Sequence, residues 1–190
     1  MCGIFGIISQ KENTVPRVIE GLKKLEYRGY DSWGVSWKEG NKIKAVKKVG
    51  KISDFSEKDF SFHEKRAGFS SSGMAIGHSR WATHGKVSKK NTHPHFSTDK
   101  KISIVHNGII ENYLEIREEL EKKGYKFQTQ TDTESVAHLL DQEIKKGLSV
   151  KEAFFNVFQK IEGRCAIVCL NEYEDSIVGM RRGSPLILGV

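Results

Sequence analysis

The chain opens with MCGIFGII (residues 1–8), which puts a cysteine directly behind the initiator methionine and in front of a short apolar run. A run of this length and composition predicts a buried β-strand, and that strand would hold Cys2 at one of its ends. Two interpretations of Cys2 are open at this point. It is either a small apolar residue that belongs to the strand, or a reactive group at the chain terminus.

Removal of Met1 would give Cys2 a second functional group. Initiator methionine is cleaved before small residues, and Cys2 would then carry a thiol with a pKa of about 8.5 and an α-amine with a pKa of about 8. The amine can take the proton of the thiol, so that nucleophile and base belong to one residue. The sequence therefore predicts an N-terminal nucleophile that attacks a carbonyl carbon and is anchored by the strand behind it.

Composition argues against several functional classes. The 190 residues carry 31 Lys and Arg against 24 Asp and Glu, and the charges are interleaved, as in EIREELEKKG (115–124). Scattered charge favours a solvated surface over a nucleic-acid interface. No apolar run is long enough to cross a bilayer, and the N-terminus lacks a secretory signal. The odd number of cysteines, three, favours a reducing compartment, so we expect a cytoplasmic protein that binds neither nucleic acid nor membranes.

Apolar periodicity and turn residues predict strands, then helices, then strands again. Strands are predicted over 2–8, 33–37, 42–50, 74–80, 101–108, 165–172, 175–182 and 185–190. Helices are predicted over 14–29, 112–124, 131–147 and 149–163, the last two opening with the capping boxes Thr131–Glu134 and Ser149–Glu152. This order predicts an α+β fold with mainly antiparallel sheets, two of them face to face with helices outside.

Polar clusters of unusual density lie between these strands and at their ends, where functional residues tend to be found. Five of the seven histidines fall between positions 78 and 106. The clusters are LEYRGYDS (25–32), GHSRWATHG (77–85), THPHF (92–96), HNGIIENY (106–113) and TDTE (131–134). A scaffold alone does not need such residues, so we expect the functional site to be built from them.

The HNG segment (106–108) offers donors for the oxyanion that forms when a thiolate attacks a carbonyl. The side-chain amide of Asn107 and the backbone N–H of Gly108 would supply two of them, and a donor of this kind is worth about 3–4 kcal/mol in the transition state. The alternative is a tight turn, since Asn-Gly is a common turn dipeptide.

Arg80 and Asp132 together would recognise an α-amino acid. Arg80 can hold a carboxylate in a bidentate fork, and Asp132 can accept hydrogen bonds from an ammonium group. Each residue has a structural alternative, which is a salt bridge for Arg80 and a helix N-cap for Asp132.

Taken together, these clusters resemble the class II glutamine amidotransferases, and among them the glutaminase domain of the glucosamine-6-phosphate synthases (glutamine–fructose-6-phosphate aminotransferases, isomerising). The Cys2-Gly-Ile start and HNG are shared with other class II enzymes, whereas LEYRGYDS, GHSRWATHG, HNGIIENY and TDTE are more specific. The resemblance covers the whole chain from Cys2. It implies an N-terminal-nucleophile (Ntn) hydrolase fold, a four-layer αββα sandwich, and one glutaminase domain over residues 1–190.

The resemblance also implies a role for each matching residue. Cys2, freed of Met1, would be the nucleophile, and Asn107 and Gly108 would form the oxyanion hole. Arg80 and Asp132 would bind the carboxylate and the ammonium group of glutamine. Further substrate-binding residues implied in this way are Arg28, which would help to organise the site, and Trp81, Thr83 and His84 of a loop that closes over glutamine.

The implied reaction is hydrolysis of glutamine to glutamate and ammonia through a γ-glutamyl thioester on Cys2. In the full enzymes of the family, the ammonia passes to a sugar isomerase domain that converts fructose 6-phosphate to glucosamine 6-phosphate. The implied partners are therefore glutamine and such an isomerase domain or subunit. The resemblance implies no metal and no organic cofactor, and it is compatible with a homo-oligomer.

Two features depart from the family pattern. The glutaminase domain of the family continues some tens of residues past GSPLILGV (183–190), so we expect this chain to be incomplete at its C-terminal end and to lack the isomerase domain. Trp33 stands where relatives carry a small residue after YDS, and its bulk would alter the packing near Arg28.

Other functions stay open on the sequence alone. A class II glutaminase that serves another acceptor, such as phosphoribosyl pyrophosphate, would share Cys2 and HNG. A non-catalytic interaction domain could keep the same fold. A metal-binding module lacks the His-Glu-x-x-His and paired-cysteine motifs of common zinc sites, but it would have a histidine cluster to use, formed by His78, His84, His93, His95 and His106.

Overall fold

The computed structural model describes residues 2–10, 14–55, 73–82 and 85–189. The strands within these residues are β1 (Gly3–Ile8), β2 (Ser32–Glu39), β3 (Lys42–Val49), β4 (Met74–Arg80), β5 (His95–Phe96), β6 (Ile102–Gly108), β7 (Cys165–Asn171) and β8 (Ile177–Arg182). The helices are α1 (Thr14–Leu25), which continues into a 3-10 turn (Glu26–Arg28), α2 (Tyr113–Lys122), α3 (Thr133–Lys145) and α4 (Val150–Lys160).

The first sheet has the strand order β1-β4-β2-β3, and all of its neighbouring strands are antiparallel. Helix α1 covers its outer face, because the apolar positions of the predicted helix all point the same way and Val18 and Leu22 are fully buried there. Gly77 of β4 allows this close contact, since a Cβ at that position would lie 2.7 Å from a methyl carbon of Val18. The strand that carries His78 and Arg80 is thus packed directly against α1.

The second sheet has the order β5-β6-β7-β8, again with antiparallel neighbours. Helices α2, α3 and α4 cover its outer face through the largest apolar cluster of the described residues. Cys165 and Cys169 of β7 are buried members of that cluster, as predicted, and both are free thiols. The other buried side chains include Ile104, Leu120, Leu139, Leu140, Phe154 and Val157.

A smaller apolar cluster fills the space between the two sheets. It joins Met74 and Ile76 of β4 to Val105 of β6 and to Val168 and Leu170 of β7. The layers therefore follow the order helix, sheet, sheet, helix. This arrangement confirms the predicted α+β class, the antiparallel sheets and the four-layer αββα sandwich.

Most of the predicted elements are present, but the strand predicted over 185–190 is wrong for residues 185–189, which form no strand. Ile187 and Leu188 are 92% and 89% exposed there. A strand needs a neighbour for its hydrogen bonds, and no strand of the described residues pairs with this segment. The two-residue strand β5 does not follow from the sequence, because it is too short to give an alternating pattern.

The two predicted capping boxes have different outcomes. Ser149 and Glu152 form the predicted box at the start of α4. The box of Thr131 and Glu134 is wrong, because α3 begins two residues later than predicted, after Asp132. The Glu134 carboxylate instead accepts hydrogen bonds from the backbone N–H groups of Gln128 and Thr129, at 2.8 and 2.7 Å. The Glu134 side chain, which the sequence pattern predicts as a helix cap, therefore binds the backbone of the loop before the helix instead.

Trp33 is buried in the cluster between α1 and the first sheet, where its ring meets that of Phe55 at a centroid distance of 4.9 Å. The bulk that sets it apart from the family pattern is therefore accommodated in an apolar core. The predicted irregular segment over 53–73 lies mostly outside the described residues, of which 53–55 and 73 belong to it. No helix in the described part of the chain is both long enough and apolar enough to span a bilayer.

Candidate active site

Cys2 lies just before β1, and its thiol contacts the backbone just after β4. The strand register pairs Gly3 with Ser79 and so brings Cys2 beside Trp81. The Trp81 N–H donates to Cys2 Sγ at 3.2 Å, and the thiol donates to Trp81 O at 3.5 Å. Burial raises the pKa of the Cys2 thiol above its ordinary value, while the Trp81 N–H and the positive charge of Arg80 lower that pKa. A thiolate formed here would keep the Trp81 hydrogen bond.

A cleft opens beside Cys2 and draws its lining from both sheets and from the start of α3. The residues around it are Cys2, Arg80, Trp81, His93, His106, Gly108, Thr131, Asp132 and Thr133. Four of the polar clusters found in the sequence contribute to this lining, together with Cys2 just before the N-terminal strand. The predicted nucleophile therefore shares one cavity with a predicted oxyanion donor and with the two residues predicted to bind an amino acid.

Asn107 reaches Cys2 from the end of β6, in the opposite sheet. Its Nδ2 donates to Cys2 O at 3.0 Å, and its Oδ1 accepts from His78 Nε2 at 2.9 Å. An amide nitrogen carries two N–H bonds, so Nδ2 has a second hydrogen to offer next to Cys2. Asn107 can therefore donate a hydrogen bond to a group held at the thiol.

Gly108 ends β6 with a backbone that other residues cannot adopt without strain. Its φ is +127°, and a Cβ there would lie 1.9 Å from the carbonyl oxygen of Arg164. Ile109 donates its N–H to Arg164 O at 3.0 Å, so the preceding N–H, that of Gly108, points away from β7. Gly108 is also part of the cleft wall. Its N–H is therefore directed to the side of the strand that does not face β7.

Asp132 occupies the N-cap position of α3, but its side chain makes no capping hydrogen bond to a backbone N–H of that helix. Its Oδ2 accepts from the N–H of Ile110 at 2.8 Å, and this bond fixes the carboxylate at the cleft. The Arg80 guanidinium, 4% exposed, donates to Gly85 O at 3.4 Å and interacts electrostatically with Cys2 and Asp132. A buried cation and a carboxylate beside one thiol suit a zwitterionic amino acid.

Threonine hydroxyls connect the buried histidines behind the cleft. Thr133 Oγ1 donates to Asp132 Oδ1 at 3.4 Å and lies 3.0 Å from both His93 Nε2 and His106 Nδ1. With the hydroxyl proton directed at Asp132, both rings donate to the Thr133 oxygen. Burial lowers the pKa of all three of His78, His93 and His106, that of His78 to about 3. These rings are therefore neutral at physiological pH.

The histidine cluster does not have the geometry of a metal site in the described residues, where no group of three His, Cys, Asp or Glu side chains could hold an ion. His78 and His93 stack at a centroid distance of 4.1 Å, and His93 and His95 meet edge to face at 4.5 Å. His95 Nε2 bonds to Thr131 Oγ1 at 3.1 Å. The fifth histidine of the proposed set, His84, lies outside the described residues.

The structure brings together most, but not all, of the predicted site residues. Cys2, Arg80, Trp81, Gly108 and Asp132 line the cleft, and Asn107 contacts Cys2. Arg28 does not line it and lies in the 3-10 turn after α1, with its guanidinium 5.9 Å from the Tyr27 ring centre. Thr83 and His84, predicted to contact the substrate, lie outside the described residues.

Several site residues do not stand out in the sequence. Thr131 and Thr133 flank Asp132 in TDTE and line the cleft with it, although the sequence pattern of TDTE points only to a carboxylate and a helix cap. Asp31 is a second case. It donates its N–H to Arg80 O at 3.0 Å, and its Oδ2 accepts from the N–H of Ala82 at 2.8 Å. The acid directly after an aromatic residue at the end of LEYRGYDS is the signal that could identify it.

Comparison with known proteins finds relatives over the whole chain. Residues 78–186 match the family of glutamine amidotransferase domains. The whole chain is 48% identical to a glutamine–fructose-6-phosphate aminotransferase (isomerizing) of Clostridium tetani and 44% identical to one of Methanococcus maripaludis. The chain spans 30% and 31% of the lengths of these two relatives.

Two solved structures share the fold of this chain. The glutamine phosphoribosylpyrophosphate amidotransferase of B. subtilis, solved with ADP and GMP, superposes with a TM-score of 0.73 at 27% identity. A structure described as the allosteric regulatory enzyme of purine biosynthesis has a TM-score of 0.73 at 28% identity. Each match covers 90% of this chain and 35% or 36% of the other.

Proposed function

Because the chain belongs to the family of glutamine amidotransferase domains, we propose that it hydrolyses glutamine with Cys2 as the nucleophile. The observation that carries this proposal is the shared cleft, in which the Cys2 thiol lies with Arg80, Asp132 and Gly108. Glutamine would place its α-carboxylate on Arg80 and its α-ammonium on Asp132. Its side-chain amide would then lie at the thiol, between the donors at the end of β6.

The chemistry requires that Met1 be removed, because only then does Cys2 carry a free amine that can act as a base. The thiolate attacks the amide carbon of glutamine, and the resulting oxyanion accepts hydrogen bonds from Asn107 Nδ2 and Gly108 N–H. The protonated amine of Cys2 then gives its proton to the leaving nitrogen, which departs as ammonia. Water hydrolyses the thioester to release glutamate and the free thiol.

We further propose that the ammonia serves a sugar isomerase domain that acts on fructose 6-phosphate. The identities of 44–48% to aminotransferases of that name support this acceptor, compared with 27–28% to the two solved structures described above. A direct test assays the complete protein with glutamine and either fructose 6-phosphate or phosphoribosyl pyrophosphate. Formation of an amino sugar phosphate supports the proposal, and formation of phosphoribosylamine would reject it.

The glutaminase step is tested by intact-mass spectrometry together with an assay of glutamate release. We expect the mature protein to lack Met1 and to gain one adduct from an electrophilic glutamine analogue. Cys2→Ala should abolish both the adduct and glutamate release while the circular dichroism spectrum stays unchanged.

Cys169→Ala is the matched control for this test. Its thiol is also free but is buried in β7, outside the cleft, so both the adduct and the turnover should survive. A protein that keeps Met1 and still releases ammonia from glutamine would overturn the proposal.

A further inference from the structure

His78 lies near the reaction centre without lining the cleft. It is fully buried in the middle of the first sheet, where it pairs with Ile4 on one side and Gly34 on the other. Its side chain crosses to the end of β6, and there Nε2 lies 3.0 Å from His106 O and 2.9 Å from Asn107 Oδ1. His78 is thus a bridge between the two sheets that ends on the proposed oxyanion donor.

The protonation state of His78 follows from these two contacts. The carbonyl of His106 can only accept, so a hydrogen bond to it requires a proton on Nε2. Burial lowers the pKa of His78 to about 3, so the ring is neutral and its single proton sits on Nε2. Nδ1 has no hydrogen-bond partner among the described residues.

This protonation state decides the orientation of the Asn107 amide. An amide can be turned by 180° with little change in shape, and only its hydrogen bonds distinguish the two orientations. An N–H on His78 Nε2 demands that the atom of Asn107 facing it be the oxygen. The nitrogen must then face Cys2, where it donates to the carbonyl at 3.0 Å.

We propose that His78 is a positioning residue, which holds the Asn107 amide in the one orientation that presents N–H groups at Cys2. This inference rests on the proposed function, because it assigns His78 a role in stabilising the oxyanion formed there. Without the Nε2 donor, only the hydrogen bond from Nδ2 to Cys2 O still fixes the amide, which can then turn more readily and present its oxygen to a developing negative charge. The loss falls on the transition state, because the predicted contacts of bound glutamine to Arg80 and Asp132 do not involve His78.

The test compares three substitutions at position 78 by steady-state glutamate release. His78→Leu and His78→Asn remove the donor, since the Asn side chain reaches only as far as Nδ1, whereas His78→Gln can place an N–H near the position of Nε2. We expect kcat to fall roughly 100-fold in the first two, the loss typical of an oxyanion donor, with KM changed by less than about threefold. His78→Gln should restore kcat to within about tenfold of the wild-type value.

A double-mutant cycle with Asn107→Ala separates positioning from a general structural effect. If His78 acts through Asn107, then adding His78→Leu to Asn107→Ala should lower kcat no further. Additive losses would overturn the inference, and so would a wild-type kcat in His78→Leu. The control is His138→Leu, which removes another fully buried histidine, from α3, and should leave kcat unchanged.

The same data distinguish this inference from the proposed function. A wild-type protein that releases no glutamate, or an Asn107→Ala variant with full activity, contradicts the proposed function itself. Loss of activity in Asn107→Ala together with full activity in His78→Leu contradicts only the role of His78. Should His78→Leu fail to fold, as judged by circular dichroism, the comparison of His78→Asn with His78→Gln decides.

Discussion

Among the single residues of the site, Asp132 has both a structural role and a proposed binding role. Oδ2 accepts the Ile110 N–H at 2.8 Å, which is a structural contact, while the negative charge would bind the ammonium group of glutamine. A neutral amide can keep the first role but not the second. The predicted N-cap alternative does not account for Asp132, because its side chain accepts no hydrogen bond from a backbone N–H of the helix.

Asp132→Asn should therefore separate binding from folding. We expect KM for glutamine to rise by roughly 10- to 100-fold, the loss of a charge-assisted hydrogen bond of about 1.5–3 kcal/mol. Alkylation of Cys2 by iodoacetamide, which has no ammonium group, should keep its rate. The free energy of unfolding should change by less than about 1 kcal/mol, because an oxygen still accepts the Ile110 N–H. An unchanged KM would remove Asp132 from the glutamine site.

Gly108 is the position at which the backbone itself constrains the residue type. Its φ is positive, and a Cβ would lie only 1.9 Å from Arg164 O, so both features exclude a side chain. We expect Gly108→Ala to lower the free energy of unfolding by about 3 kcal/mol or more, because strain and a backbone clash add. Gly124→Ala is the matched control, since Gly124 also has a positive φ but has no atom within 4 Å of its Cβ position. It should lose only about 1–2 kcal/mol in urea denaturation.

Among the structural elements, the short segment over residues 29–31 supports the backbone of residues 80–82, on which the site depends. Residues 29–31 lie under the backbone that follows β4, where Asp31 bonds both to Arg80 O and to the Ala82 N–H. The Tyr30 ring meets that of Trp81 edge to face at 5.3 Å. The backbone that presents Arg80 to the cleft and the Trp81 N–H to the thiol is thus held by LEYRGYDS.

Asp31→Ala should loosen this backbone without unfolding the protein. One partly buried hydrogen bond of about 1 kcal/mol is lost, so we expect kcat/KM for glutamine to fall roughly fivefold, with a similar fall in the rate of Cys2 alkylation. Asp31→Asn is the control, because its amide oxygen can still accept the Ala82 N–H. Equal activity in Asp31→Ala and wild type would show that residues 80–82 keep their position unaided.

The elements also show where sequence patterns are sufficient and where they fail. Helix α1, the hairpin of β2 and β3, and strands β4, β6 and β7 follow from periodicity and turn residues, because each has one face in a core. The segment over 185–190 is as apolar as these strands, yet residues 185–189 form none because no described strand pairs with them. The Thr131–Glu134 box fails for a related reason, since Glu134 binds loop N–H groups that only the tertiary fold brings near.

In the molecule as a whole, the sequence likewise identifies candidate reactive residues of the site but not the residues that support them through tertiary contacts. Chemistry makes Cys2, Asn107, Gly108, Arg80 and Asp132 candidates, each beside a structural alternative, and it is the resemblance to the amidotransferases that assigns them to one reaction. The supporting residues His78, Asp31 and Thr133 act through hydrogen bonds between distant segments, and a sequence does not display such contacts. In the sequence the histidines therefore leave a metal-binding alternative open, whereas in the fold they stack and bond to threonine hydroxyls.

These buried histidines also make the stability of the whole protein depend on pH. Burial lowers the pKa of His78 to about 3, and burial together with neighbouring positive groups lowers those of His93 and His95 well below the ordinary value. In the unfolded chain each would titrate near 6.5, so the unfolded state binds more protons below that pH. Their contribution to stability is therefore complete above about pH 7 and is lost as the pH falls through 6.5.

We expect the free energy of unfolding to fall by roughly 4 kcal/mol between pH 7.5 and 5.5, since each of the three histidines contributes about 1.4 kcal/mol one pH unit below its unfolded pKa. That is a large part of the 5–15 kcal/mol of a typical domain. Urea denaturation at pH 7.5, 6.5 and 5.5 measures it. His95→Gln can keep the hydrogen bond to Thr131 without a titrating ring and should make the slope shallower by about one proton. A stability that is flat over this range would mean that the rings take up protons as readily inside the fold as in water.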